Sequence, residues 1–145
     1  MITGIFEKKA KFMIAFVVFL LAFNCLAARK APAEKPDFTK GDKPSKFHDW
    51  NLGPTGARGW IYGRKGHTAD ARQILVTEVA ENSPADGILK KGDVILGVAG
   101  KSFDGDARKH FANAVTAAER FENGGRMEIL RWRDGKTENV TIKLQ

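Results

Sequence analysis

The sequence predicts an α+β fold in which short strands are interleaved with one short and one long helix. Three observations predict it. Apolar, β-favouring stretches recur at Trp60-Ile61-Tyr62, Ile74–Val79, Val94–Val98, 127–132 and 140–144. One further stretch, opened by Asp104 or Asp106 and running to about Glu122, places Ala107, Phe111, Ala114, Val115, Ala118 and Phe121 at intervals of three and four, as a one-sided helix requires. Asp134-Gly135 then separates the last two strands with the residues of a type I′ hairpin turn.

Each element has a local cause. The loop 51–59 holds three glycines and a proline before the first strand, and 64–72 is a polar connection to the second. Ser83-Pro84 opens a turn, with Pro84 suited to a first helical position and Ser83 placed to cap it. Residues 85–89 read as a single helical turn, the short helix. Gly92 supplies a positive-φ backbone and Asp93 a turn former, after which Val94, Ile95, Leu96 and Val98 make a core strand. Gly97 in that strand permits a bend or a close backbone approach. Asn123-Gly124-Gly125 ends the long helix. Val140, Ile142 and Leu144 alternate with Thr141 and Lys143, which gives the last strand one buried face and one wet face.

A chain of 145 residues with 43% hydrophobic and 10% aromatic side chains supplies one core, and its formal charge of +7 raises the question of anionic partners. Part of that charge lies in residues 1–27, which read as a secretory signal peptide. Lys8, Lys9 and Lys11 precede an eleven-residue apolar run, 13–23, and Cys25-Leu26-Ala27 offers small residues for cleavage after Ala27 or Ala28. The run is about half the ~20 residues of a membrane span. Asn24 stands where a small residue precedes an acylated cysteine, so Cys25, the only cysteine, is not read as a lipid anchor. The expected product is secreted or periplasmic, in the cell envelope, and free of thiols. Residues 28–50, rich in Lys and Pro, are expected to form a disordered tether, and 51–145 the folded domain.

The ordered set of Ile74–Val79, Ser83-Pro84-Ala85, Ile88-Leu89, Gly92-Asp93-Val94-Ile95 and Gly100-Lys101 resembles the signature of a bacterial PDZ domain, the module of HtrA/Deg-type and site-2 proteases. The resemblance implies a small, partly open antiparallel β-barrel or sandwich with the long helix against one opening. It also implies capture of extended or C-terminal peptide segments by strand addition between the second strand and the helix. A terminal carboxylate would sit in the backbone nest of an x-Φ-Gly-Φ loop, where Φ is apolar. Ala57-Arg58-Gly59-Trp60 is the best match to that loop. Asn51-Leu52-Gly53-Pro54 fits the letters too, but Pro54 has no N–H. The expected peptide-binding residues are therefore Arg58, Gly59, Trp60, Ile61 and Tyr62 on the strand and Ala107, His110, Phe111 and Ala114 on the helix. Trp60 and Tyr62 are expected to share the groove face. Arg58 either adds a charge-assisted bond to the ligand or is a solvated loop residue.

No residues assemble a catalyst. His48, His67 and His110 are too scattered for a zinc site, Asp104 and Asp106 are explained as caps, and Ser83 and Ser102 lack a triad. No cofactor, metal or enzyme activity is expected. Arg126, Arg131, Arg133 and Lys136 around Trp132 alternate with buried positions as solvated charges do, so nucleic acid is not the expected partner. The expected function is an exported, non-catalytic module that binds segments of envelope or secreted proteins. Two other readings are a regulatory or targeting module of an exported protease or hydrolase whose catalytic part lies outside this chain, and a self-assembly domain.

Overall fold

The computed structural model describes residues 34–44 and 49–144, so the signal-peptide reading of 1–27 lies outside the described residues. The chain divides into two units, Met1–Glu34 and Lys35–Gln145, and the elements among the described residues belong to the second. They are β1 (Asp49–Asn51), β2 (Ala57–Ile61), β3 (Ile74–Val79), β4 (Val94–Val98), β5 (Lys101–Ser102), α1 (Ala107–Ala118), β6 (Arg126–Arg133) and β7 (Lys136–Lys143). The strands pair antiparallel in the order β1-β2-β3-β4-β6-β7, with β5 on β4, as an open sheet.

Period-two alternation sorts the strands' side chains onto two faces. Ile61, Ile74, Val76, Ile95, Ile129 and Ile142 point into the main core, where Phe103 and Phe111 join them. The α1 helix packs on β4 and β6 through this core, and Asp106 caps it, accepting from Arg108 N–H at 3.0 Å and Lys109 N–H at 3.4 Å. The helix stops at Ala118, short of the expected Glu122, and Phe121 falls in a 3-10 turn with its ring fully exposed. The expected short helix at 85–89 does not form: the segment is a hydrogen-bonded turn, Leu89 N–H donating to Ala85 O at 2.8 Å, and Gly87 at φ 76° takes the chain out of right-handed helical geometry. Ser83 does not cap it: its carbonyl accepts from Asp86 N–H, while its hydroxyl is packed against Gly56 without a partner among the described residues. Gly92 has φ 94°, and Asp134 and Gly135 both have positive φ, as the I′ turn demands.

The 83–98 segment is tied to the β6–β7 hairpin by charge. Asp93, fully buried, receives Arg133 in two bonds of 2.7 Å and the Lys90 N–H at 2.8 Å. Arg131 and Arg133 both donate to the Ile88 carbonyl, at 2.7 and 3.1 Å.

The domain begins earlier than residue 51, and the tether expected over 28–50 is ordered where it is described. Phe38 is buried in a 3-10 turn, edge-on to Trp60 at 5.3 Å, and packs with Val94. Asp37 holds the turn, accepting from Thr39 N–H and from Gln73 Nε2, while Phe38 N–H donates to Gln73 Oε1 at 2.7 Å. A single aromatic with this much polar support outweighs the polar composition around it. Asp49 and Trp50, also assigned to the tether, belong to β1.

Candidate functional site

The expected groove required an unpaired β2 edge facing α1. The structure corrects this: β2 is paired on both sides, with β3 along one and β1 along the other, where Asp49 faces Trp60, Trp50 faces Gly59 and Asn51 faces Arg58. The chain thus lays its own three-residue strand on the border where a guest strand was expected. A latch holds it there. Asp49 and Arg58 are diagonal neighbours on one face of the ladder, and Arg58 Nε and Nη2 donate to the two Asp49 carboxylate oxygens at 2.8 and 3.1 Å. The register of β2 on β3 shifts between Arg58 and Gly59. This bulge re-aims Thr77, whose hydroxyl donates to Asp49 Oδ2 at 3.1 Å. Arg58 does grip a carboxylate, then, but an internal one.

The Arg58 guanidinium, with Thr77 in support, holds the Asp49 carboxyl down at about 2 from an ordinary 3.8. A carboxylate depressed by folding stabilises the fold above its ordinary pKa, and that contribution is lost as pH falls through about 4 toward about 2. The Trp50 indole NMR resonance is accordingly expected to hold constant above about pH 5 and to move only below about pH 4. In Asp49→Asn the acid-induced movement should vanish. A Trp50 resonance unmoved down to about pH 2 would show that the latch does not hold β1.

Inside this border lies a cleft of about 350 Å³ between β1, the loop after it, and α1. Leu52, Ile61, Phe111 and Val115 give it apolar walls; Trp50, Asn51, Gly53, Arg108, Ala112 and Thr116 complete it. Trp50 comes from the inner face of β1, and its ring carries the Arg108 guanidinium 3.9 Å from the ring centroid.

Of the nine residues expected from sequence, the cleft brings together Ile61 and Phe111. Trp60 and Tyr62 do pack against each other, at 6.4 Å, but Trp60 turns to the opposite face of the sheet with Phe38. Gly59 is buried in the ladder, where a Cβ would stand 2.5 Å from Ile74 Cγ2. Ala107 is core, Ala114 is half-buried against it, and His110 reaches Asp104 at 3.3 Å and packs on Phe103. The loop that does border the cleft is the other match, Asn51-Leu52-Gly53-Pro54. The letters of that loop were the available signal for it.

That loop has few backbone donors to offer. Leu52 N–H donates to Ala57 O, Gly53 N–H to Asn51 Oδ1, Gly56 N–H to Gly53 O and Ala57 N–H to Thr55 Oγ1. Pro54 has none. An anion nest needs successive N–H groups, and no two adjacent ones remain between 52 and 57.

An open antiparallel sheet with one helix across it and an apolar cleft between the two is a binding scaffold. The family model of the PDZ domain matches residues 54–144, and the chain belongs to that family. No curated protein matches it. A PDZ domain is a protein- or peptide-binding module and in general not a catalyst. Among the described residues, no group of three or more His, Cys, Asp or Glu gathers as metal ligands, and no helix is long and apolar enough to cross a membrane.

Proposed function

We propose that this chain is an exported, non-catalytic module that binds extended segments of other envelope or secreted proteins, and that they seat in the cleft between β1 and α1. The cleft itself carries the reading. Its apolar walls and its volume of about 350 Å³ suit one or two large side chains. Antiparallel alternation turns the main-chain groups of Asn51 away from β2, so a guest strand would add to β1 in place of β2. Export is supported by Lys8, Lys9 and Lys11 ahead of the apolar run 13–23.

Titration of the labelled protein with a pool of capped ten-residue peptides is expected to shift resonances of Leu52, Gly53, Phe111 and Val115. Val115→Glu, at a half-buried wall position, should weaken binding about ten-fold or more by placing a charge against apolar ligand surface. Shifts confined to β7, or none, would overturn the cleft reading. An N terminus at Met1 in protein from the producing cell would overturn export.

A further inference from the structure

Among the described residues, Arg108 is the only charged side chain lining the cleft. It is held against the Trp50 ring, and among the described residues no carboxylate lies within ion-pair distance of it or of its neighbour Lys109. The depression on the other side of the Arg108–Ala112 ridge is also basic, with Lys109 and His67. Its one acid, Asp106, is engaged by Thr68 Oγ1 and by the first backbone N–H groups of α1. A guanidinium fixed by an aromatic face keeps its outer N–H groups for a partner while paying little side-chain entropy on binding.

We propose, resting on the cleft reading above, that the module selects an internal extended segment carrying Asp or Glu two residues from a large apolar side chain. The apolar group fills the pocket of Leu52, Phe111 and Val115, and the carboxylate is taken by Arg108. Helix geometry sets the spacing. At a rise of 1.5 Å per residue, the midpoint between Phe111 and Val115 lies about 7.5 Å along α1 from Arg108, close to the ~6.8 Å between residues i and i+2 of an extended chain. Selection of internal segments over chain ends follows from the loop, whose donors are engaged within it, so no built site awaits a terminal carboxylate.

The test is selection of random twelve-residue internal segments displayed on phage, with the full chain and with Arg108→Gln as baits. The wild type is expected to enrich an acidic residue two positions from Leu, Ile, Phe or Trp. Arg108→Gln, at an exposed position, should keep the apolar preference and lose the acidic one. For an enriched segment made as a capped peptide, Glu→Gln should weaken binding to the wild type about ten-fold and leave Arg108→Gln unaffected. Apolar enrichment without the acid, or an acidic preference that survives in Arg108→Gln, would overturn the proposal and leave the cleft reading standing. No enrichment at all would overturn both. A capped peptide bound at least ten-fold more weakly than the same sequence with a free C-terminal carboxylate would overturn the preference for internal segments.

Discussion

Arg133→Met is expected to lower the stability of the domain by about 3–5 kcal/mol, the usual loss when one partner of a buried ion pair is removed. The size follows from Asp93, whose side chain is 0% accessible while that of Arg133 is 27% accessible. The methionine fills much of the space but cannot answer the carboxylate, which would be left with the Lys90 N–H alone. The Ile88 carbonyl would also lose one of its two guanidinium donors. At about 4 °C per kcal/mol for a domain of this length, the melting midpoint should fall by about 12–20 °C. Adding Asp93→Asn should recover part of the loss, because the stranded group is then neutral. A loss below about 1 kcal/mol in thermal unfolding would show that the pair behaves like an exposed one.

Gly97→Ala should cost about 3 kcal/mol, at the upper end of what overpacking usually brings. A Cβ there would stand 1.9 Å from the Lys101 carbonyl oxygen, 2.6 Å from its carbon and 2.7 Å from Ser102 Cα. All three are backbone atoms, so no side chain can swing aside. The β4–β5 corner must open, and with it the Gly97–Ser102 pairing and the bond from Phe103 N–H to Leu96 O. Gly100→Ala is the control. Its φ of +71° disfavours a side chain, but it has open space around it, so about 1 kcal/mol is expected. Equal losses for the two in denaturant unfolding would mean that the β4–β5 corner yields easily to the added methyl and that the close approach does not govern Gly97.

Much of the fold was legible because it rests on local rules. Gly92, the 94–98 strand, the close approach at Gly97, the Asp106 cap and the Asp134-Gly135 turn each follow from what one residue can do with its own backbone. The site was less legible because it rests on pairings between distant residues. β1 is three residues long and polar at two of them, too short to show a period, and Asp49 acquires its role only when Arg58 and Thr77 are brought beside it. Phe38 looked isolated in a Lys- and Pro-rich stretch because average composition does not register a single aromatic ring with a waiting partner. Trp60 and Tyr62 were correctly placed on the same side of the sheet, but strand periodicity says nothing about which side meets the helix. Pro54 argued rightly against an anion nest, and wrongly against its loop bordering the cleft.

The placement of β1 has a consequence for how the molecule behaves beside copies of itself. The sheet ends at one margin in a strand of three residues and at the other in β7, where Lys136, Glu138 and Lys143 stand exposed. Brevity on one side and alternating charge on the other are the features that keep naked sheet margins from templating fibrils. Covering the longer, more apolar β2 therefore leaves a guest only the short outer margin of β1 beside the hollow, and withholds the long main-chain ladder that would let a crowded population zip into ribbons.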